Sequence, residues 1–352
     1  MTKFDLDNLV RKNIQKLKPY TITRDEYLDK PNIIFLDNCE NNYGAPIEGN
    51  YERYPSSTQQ ELKNAIASYQ NIASNQIALG NGSDELIDLL IRCFCEPSED
   101  SILTISPTFG MYKVYAAINN VNVVEVPLTN NTFQFDTEAI IDNINANTKL
   151  MFLCSPNNPT GTSISYEQLE TILNNFNGIV IIDEAYIDFS EKASFKNLIF
   201  TYPNLLILQT FSKAWGLASL RLGMLLGNKD IIAAINKVKP PYNINGLTQE
   251  IIKKAIDEKD VKEIKIKKIL TQKILVKNEL QKFSFVKNIV DSDGNFYLIK
   301  VKDAELITQK LLEQGILISN RSSSIKGGNY IRISIGTELE NQKLFNALKN
   351  TK

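Results

Sequence analysis

The chain has 352 residues, and its 39 Lys and Arg residues nearly balance its 40 Asp and Glu residues, which gives a formal net charge of −1. This length suffices for about two domains with buried cores, and the charge balance argues against a nucleic-acid-binding protein, which would usually be basic. The sequence has no histidine, which excludes Ser-His-Asp triads, Cys-His pairs and histidine-based metal sites. Acid–base chemistry near neutral pH therefore falls to Lys, Asp, Glu, Tyr, Cys or a cofactor, and we expect no metal site.

The four cysteines are Cys39, Cys93, Cys95 and Cys154, and the one closely spaced pair matches neither a thioredoxin motif nor a zinc knuckle. They are predicted to be reduced core thiols, which is typical of a cytoplasmic protein. Residues 1–13 carry acidic side chains where a signal peptide needs an apolar run. No stretch approaches the ~18 apolar residues of a membrane helix. We therefore expect a cytoplasmic protein without a membrane partner.

The first 35 residues are polar and mixed, and residues 33–36 are the first apolar stretch suited to a core. From residue 60 onward, helical stretches alternate with short apolar strands. Strands are predicted at residues 76–79, 101–105, 121–126, 150–154, 179–182 and 205–209, and helices at residues 61–69, 84–94 and 166–176. This alternation predicts an α/β fold with a mostly parallel sheet covered by helices on both faces.

The pattern changes near residue 237, where Lys239-Pro240-Pro241 interrupts it. Residues 250–282 are predicted to form one long, Lys-rich helix whose charges form a solvated face. Further strands are predicted at residues 296–301, 317–319 and 330–335, with helices at residues 304–314 and 339–348. We therefore predict an N-terminal arm (1–36) that joins the small domain, a large domain (37–238) and a smaller α+β C-terminal domain (239–352).

Polar loops directly follow five of the predicted strands. They comprise residues 80–84, 106–109, 155–161, 183–186 and 210–213. In an open parallel sheet, ligands bind outside the carboxyl ends of the strands. The five loops therefore predict one pocket.

Two segments suit an anionic group. Residues 80–83 (Gly-Asn-Gly-Ser) open a predicted helix, so their N–H groups and the helix dipole suit a phosphate. The same residues also suit a tight turn with a Ser or Asp N-cap. Arg221 stands between Leu220 and Leu222, a setting that favours contact with an anion over contact with water.

Two further side chains, those of Asp183 and Lys213, are candidates for contact with a ligand. Asp183 ends a wholly apolar strand, so its carboxylate either needs a cationic partner, such as a protonated pyridine nitrogen, or caps the next element. Lys213 follows the Thr-Phe-Ser turn. It is either a solvated lysine or, in a partly desolvated cationic pocket, one whose lowered pKa allows a covalent bond to an aldehyde.

These motifs together resemble the fold-type I pyridoxal-phosphate enzymes. The resemblance rests on Ser155-Pro-Asn-Asn-Pro-Thr-Gly161, Asp183-Glu-Ala-Tyr186, Thr210-Phe-Ser-Lys213 and Arg221. Histidinol-phosphate aminotransferases are more similar still, through Glu40-Asn41, Arg53-Tyr54-Pro55, Pro107-Thr-Phe-Gly-Met-Tyr112, residues 183–189 and 210–217, and Ile331-Arg-Ile-Ser334. The matches run in order from about residue 19 to residue 337.

The resemblance implies pyridoxal 5'-phosphate as the cofactor. Lys213 would bind it covalently and carry the substrate proton, and Asp183 would keep its pyridine nitrogen protonated. Asn158 and Tyr186 would bond its phenolic oxygen, with Tyr186 also counted as catalytic, and Phe109 would stack on its ring. The phosphate would be held by Ser83, Asp84, Thr210, Ser212 and Arg221.

The resemblance also implies a substrate site and a homodimer. Arg332 would bind the substrate anion, with Tyr20 and Asn158 nearby. A tyrosine in the position of Tyr54 reaches the cofactor phosphate from the neighbouring subunit. The implied reaction is transamination of a small phosphorylated amine or ketone, of the histidinol-phosphate or imidazole-acetol-phosphate type, with glutamate as amino donor.

Ser319 departs from the family pattern, because these enzymes commonly carry a phosphate-binding arginine there and this chain has Arg321 instead. A shift by two residues keeps the strand face but moves the side chain by about 6–7 Å. Arg321 would then compensate, or the pocket would accept a smaller ketone such as dihydroxyacetone phosphate.

Two other functions remain open. Decarboxylases of threonine phosphate or serine phosphate share nearly the same motifs. A degenerate aminotransferase domain that serves as a sensor in a transcription regulator would need a basic DNA-binding extension, and we expect none in the residues before Pro19.

Overall fold

The computed structural model describes residues 4–20, 22, 24, 27, 30–325 and 327–350. Its larger sheet contains β1 (Ile77–Asn81), β2 (Ser101–Ser106), β3 (Asn122–Pro127), β4 (Thr148–Cys154), β5 (Ile179–Asp183), β6 (Leu205–Thr210) and β7 (Leu222–Gly227). The spatial order is β1-β7-β6-β5-β4-β2-β3. The five strands from β6 to β3 are parallel, and β7 is antiparallel to both β1 and β6. The predicted mostly parallel sheet is confirmed, and β7 is an additional strand that the pattern did not predict.

Helices cover both faces of this sheet. They are α1 (Lys12–Gln15), α2 (Gln60–Gln70), α3 (Gly82–Phe94), α4 (Met111–Ile118), α5 (Thr137–Asp142), α6 (Tyr166–Asn175), α7 (Lys229–Val238) and α8 (Gly246–Asp257). Alternate residues of β5 point to opposite faces, so Val180 and Ile182 pack in one core with α2, α6 and α8, whereas Ile179 and Ile181 pack in another with α3 and α7. Burial on both faces explains why the strands are unbroken apolar runs.

A smaller sheet and three helices form the C-terminal part. They are α9 (Lys259–Leu280), β8 (Val286–Ile289), β9 (Phe296–Val301), α10 (Ala304–Glu313), β10 (Ser319–Asn320), β11 (Tyr330–Ser334) and α11 (Glu338–Lys349). The strand order is β10-β11-β9-β8, and every neighbouring pair is antiparallel. Within the described ranges, the helices lack the length and apolar character that crossing a lipid bilayer requires.

The single helix predicted at residues 250–282 is wrong, because α8 ends at Asp257 and α9 begins at Lys259. Glu258 leaves helical geometry between them, with φ −96° and ψ 24°. The two helices serve different cores: Ile252 and Ile256 of α8 pack under the larger sheet, whereas Val276 and Leu280 of α9 pack under the smaller one. Residues 246–257 therefore pack with the larger sheet, although the predicted small domain begins at residue 239.

The N-terminal segment also departs from expectation. Ile14 packs in the core beside α3 and α7, and Arg11 Nε lies 3.1 Å from Glu96 Oε2. Residues 4–17 therefore pack beside the helices of the larger sheet, whereas the prediction joined residues 1–36 to the small domain. Residues 33–36 do not enter a core, because Ile34 and Leu36 are exposed.

Three of the four cysteines behave as predicted. Cys93, Cys95 and Cys154 are buried free thiols, and burial raises the pKa of Cys93 to about 12. Cys39 is also free but exposed, so its assignment to the core is wrong.

Candidate active site

The carboxyl ends of the strands open onto one cavity of about 540 Å³. Because β7 is antiparallel to both neighbours, β1 ends at this edge of the sheet and Arg221 lies there, directly before β7. All the predicted site residues except Tyr20 and Tyr54 line the cavity: Ser83, Asp84, Phe109, Asn158, Asp183, Tyr186, Thr210, Ser212, Lys213, Arg221, Arg321 and Arg332. The five strand-end loops thus meet in one pocket.

Asp183 is the buried acid of the cavity, at the end of β5. Its Oδ2 accepts a hydrogen bond from Tyr112 Oη at 2.6 Å, and its Oδ1 accepts one from the backbone N–H of Ala185 at 3.1 Å. Burial raises the pKa of Asp183 to about 6. In the described ranges, no salt bridge involves this carboxylate. Asp183 therefore suits a cationic partner supplied by a ligand.

Lys213 supplies the amine. It lies in a tight turn after β6, in which the Gly216 N–H donates to the Lys213 carbonyl at 3.0 Å. Its Nζ lies 5.6 Å from the centre of the Tyr186 ring. Desolvation by the surrounding protein and, next, the Arg332 guanidinium lower the pKa of Lys213. A lower pKa increases the share of neutral amine, the form that attacks carbonyl carbon and accepts protons.

Arg221 and the first turn of α3 form a corner of the cavity whose groups suit an anion, here called the anion-binding corner. Arg221 Nη2 lies 3.2 Å from Asp84 Oδ2, and Nη1 lies 3.4 Å from Ser212 Oγ. A Cβ on Gly82 would lie 2.4 Å from Arg221 Nη2. Glycine at that position therefore lets the guanidinium approach the N-terminus of α3. The first N–H groups there have no acceptor within the helix and favour an anion.

Thr210 and Phe109 shape the walls of the cavity. The Thr210 hydroxyl donates to a carbonyl of β7 at 3.2 Å and accepts from the Ser212 N–H at 3.1 Å, which fixes the turn before Lys213. The Phe109 ring packs edge-on against Tyr112, with ring centres 5.5 Å apart.

Tyr186 is a buried phenol at the cavity. Its ring meets Phe296 edge-on at 5.0 Å. Burial raises the pKa of Tyr186, so its hydroxyl remains protonated near neutral pH. It can therefore donate a hydrogen bond to an oxygen of a ligand.

The smaller sheet contributes two arginines to the cavity. Arg332 lies on β11, and its Nη1 donates to Asn158 Oδ1. The Nε atoms of Arg321 and Arg332 are buried, and neither has a hydrogen-bond partner among the described residues. Burial and then the nearby Arg332 charge lower the pKa of Arg321. An unpaired buried donor costs free energy, so this side of the cavity suits an anionic ligand.

Ser319 does not line this cavity. It lies opposite Arg332 in the β10–β11 pair and borders a second depression of about 400 Å³, which Arg332 also lines. Arg321 instead lines the main cavity. The shift by two residues therefore leaves a second guanidinium at the site.

Tyr20 and Tyr54 lie outside the cavity formed by one chain. Tyr20 is 78% exposed. Tyr54 is 53% exposed, its ring stacks on Tyr242 with centres 4.7 Å apart, and its N–H donates to Glu40 Oε1 at 2.8 Å. Whether Tyr54 reaches a neighbouring subunit stays a prediction.

Three positioning residues were not predicted: Tyr112, Thr108 and Asn157. Thr108 Oγ1 donates to Asn157 Oδ1 at 2.6 Å, which joins the loops after β2 and β4. Tyr112 and Thr108 belong to the 107–112 motif, but their partners lie far along the chain. Only the strand order could have indicated these pairs.

Comparison with known proteins agrees with this geometry. The chain matches the family model "Aminotransferase class I and II" over residues 25–348. It is 45% identical over 346 residues to the histidinol-phosphate aminotransferase of Cytophaga hutchinsonii, covering 98% of this chain and 99% of that one. The identity with the enzyme of the same name from Flavobacterium psychrophilum is 47% over 350 residues, covering 99% of each.

Among solved structures, the histidinol-phosphate aminotransferase from Clostridium acetobutylicum has a TM-score of 0.79 at 28% identity, covering 85% of this chain and 90% of that one. The seven-stranded sheet and the cavity at its strand ends thus occur in a chain that matches the family model over residues 25–348. The chain belongs to the class I and II aminotransferase family.

Proposed function

We propose that this aminotransferase uses pyridoxal 5'-phosphate to transfer an amino group from glutamate to imidazole-acetol phosphate, forming histidinol phosphate, and catalyses the reverse reaction. The observation that carries the proposal is the cavity itself. It combines the amine of Lys213, the buried carboxylate of Asp183 and two arginines with unpaired Nε atoms. The names of the relatives at 45% and 47% identity support the same reaction.

The cavity residues fit pyridoxal phosphate. The Asp183 carboxylate, buried without an ion-pair partner among the described residues, suits a protonated ring nitrogen. Arg221 and the N-terminus of α3 suit the phosphate. Lys213 is the group that would bond to the aldehyde. When bound, this cofactor draws electron density from the substrate Cα and so acidifies its proton.

Residues of the chain would then take up and return the proton of the substrate Cα. The lowered pKa of Lys213 leaves Nζ able to take the proton from Cα and to return it elsewhere. The Tyr186 hydroxyl, kept protonated by burial, would donate a hydrogen bond to the cofactor's phenolic oxygen. Tyr112 holds the Asp183 carboxylate in place.

Arg321 and Arg332 are the proposed contacts for the anions. The two half-reactions follow each other in one site, so the same group must accept a carboxylate and then a phosphate. A guanidinium fork suits both anions, because it can bond two oxygens at once. Arg321 lines the cavity, which supports its proposed compensation for Ser319 and favours histidinol phosphate over a smaller ketone such as dihydroxyacetone phosphate.

A single-turnover assay tests this proposal. The purified enzyme with pyridoxal phosphate is mixed with histidinol phosphate, histidinol, serinol phosphate or threonine phosphate. Absorbance follows the cofactor while released CO2 is measured. We expect the fastest conversion with histidinol phosphate and no CO2. Equal rates with histidinol would contradict the phosphate requirement, and CO2 from threonine phosphate would indicate the decarboxylase instead.

A second copy of the chain is proposed to complete the site. The segment before Tyr54 leaves four large apolar side chains exposed, those of Ile34, Leu36, Tyr43 and Ile47, and exposed apolar surface favours protein–protein contacts. In a homodimer, these side chains would be covered and Tyr54 would reach the partner's cofactor phosphate. The free thiols also support a reducing compartment, the cytoplasm.

A further inference from the structure

Lys262 is a buried lysine that lies outside the cavity. Most lysines near it on α9 are exposed, including Lys259, Lys265, Lys267 and Lys268, as a solvated face requires. Lys262 differs, because only 5% of it is exposed. A buried ammonium needs charged or polar partners.

Those partners come from three other parts of the chain as well as from α9. Lys262 Nζ lies 2.8 Å from Asp188 Oδ1, 2.9 Å from Tyr69 Oη and 2.9 Å from Glu263 Oε1. It also lies 4.7 Å from the centre of the Trp215 ring, within the range of a cation–π contact. Burial lowers the pKa of Lys262, but Asp188, Tyr69 and Glu263 together raise it by more, so the net pKa is raised.

Two of these partners lie next to the proposed catalytic residues. Asp188 is two residues beyond Tyr186, in the short 3₁₀ turn Ile187–Phe189. Trp215 is two residues beyond Lys213, inside the turn closed by the Gly216 hydrogen bond. One ammonium therefore contacts both the turn after β5 and the turn after β6.

The same helix also leads to the smaller sheet. Val276 and Leu280, near the end of α9, pack in the core of that sheet. We infer that Lys262 is a positioning residue, whose ammonium holds the turns of Tyr186 and Lys213 in register with each other and with α9. This inference rests on the proposed roles of Tyr186 and Lys213.

The test replaces Lys262 in the full-length holoenzyme. Lys262→Met keeps the length of the side chain and removes its charge. Trp215 is the single tryptophan, so its emission reports directly on the turn of Lys213. We expect the Trp215 ring to become more accessible to solvent, as measured by its emission. We also expect kcat for the glutamate half-reaction to fall about ten- to a hundredfold, with KM little changed.

Two further variants serve as controls. Lys262→Arg retains the charge and should restore most of kcat. Lys267→Met removes an exposed lysine from the same helix and should leave emission and kcat unchanged. If Lys262→Met does not fold, Asp188→Asn tests the same link and should lower kcat in the same way.

Several results would overturn the inference. They are wild-type kcat and Trp215 emission in Lys262→Met, a lower unfolding temperature with unchanged kcat, equal loss in Lys262→Arg, or normal kcat in Asp188→Asn. Failure of the proposed function would be visible separately. It would leave the wild-type enzyme inactive toward histidinol phosphate, whereas the Lys262 measurements use emission and glutamate.

Discussion

Asp183 and its neighbour Tyr112 set the electrostatic character of the cavity floor. Tyr112 is buried, stacks on Phe152 with ring centres 5.1 Å apart, and points its hydroxyl at the carboxylate. Burial brings the pKa of Asp183 to about 6. A cation that arrives at this carboxylate favours its charged form, so ligand binding and ionisation support each other.

Asp183→Asn should abolish this coupling between cation binding and ionisation of the carboxylate. The neutral amide cannot hold a proton on the cofactor ring nitrogen, so kcat should fall by the equivalent of several kcal/mol, on the order of losses seen when preorganised charges are removed. Tyr112→Phe removes one hydrogen bond to the carboxylate and should raise the activation barrier by about 1–2 kcal/mol. The measurement is kcat for each half-reaction. A loss of only a few-fold in Asp183→Asn would contradict the assignment.

The same variant has a pH-dependent effect on the cofactor-free protein. The pKa of Asp183 is higher in the folded chain than the ordinary value of 3.8, so ionisation opposes folding as pH rises from about 4 through 6. The unfolding free energy of Asp183→Asn, relative to the wild type, should therefore increase by about 2–2.5 kcal/mol between pH 4 and pH 7, most of the ~3 kcal/mol that separates full protonation from full ionisation. Urea unfolding at pH 4 and pH 7 measures it, and a constant difference would contradict it.

The close approach of β7 to α3 shapes the anion-binding corner. A Cβ on Gly223 would lie 2.4 Å from the backbone nitrogen of Ser83. The first turn of α3 can therefore rest on β7 only because the strand carries glycine there. β7 thus supports the N–H groups proposed to hold the cofactor phosphate.

Gly223→Ala should push that turn away from the strand. We expect a stability loss of about 1–3 kcal/mol, as for overpacking, and weaker retention of pyridoxal phosphate during dialysis. Gly246→Ala is the matched control, because a Cβ there meets nothing closer than Pro55 Cβ at 4.0 Å. Equal cofactor retention in both variants would show that the corner tolerates the shift.

The elements that could be predicted are those whose pattern is local. Strand-end loops such as residues 183–186 were found because each follows an apolar run. β7 was missed because Gly223 and Gly227 interrupt its short apolar run. The break at Glu258 was missed because the residues of α8 and α9 on either side have similar polarity. Lys262 was taken for a solvated residue, since its partners lie 74 and 193 residues away.

Within one chain, Tyr54 lies away from the cavity. The ring lies on Tyr242, and Glu40 fixes the backbone by accepting the Tyr54 N–H while it pairs with Arg53 at 2.7 Å. Arg24 pairs with the same carboxylate at 2.6 Å, and Arg24 lowers the pKa of Glu40 to about 2. The segment is thus held firmly in an exposed position, as a residue that serves a partner would be.

Mixing two inactive enzymes tests that arrangement. Lys213→Ala and Tyr54→Phe should each have little activity alone. After joint refolding, a mixed dimer would contain one site with native Lys213 and the partner's native Tyr54, so activity should rise above that of either parent. Size-exclusion chromatography checks the dimer. Activity equal to the average of the parents would mean that Tyr54 serves its own chain.

The cavity wall is divided between two separately built sheets. Lys213, Asp183 and Arg221 belong to the seven-stranded unit, whereas Arg321 and Arg332 come from the four-stranded one. The groups proposed to carry the reaction and those proposed to select the substrate are therefore encoded in different stretches of sequence. Exchange of residues 319–334 for the matching segment of a relative should change which substrate accepts the amino group, while cofactor binding stays unchanged. In this way, evolution could change the substrate of such an enzyme without changing the residues proposed to bind its cofactor.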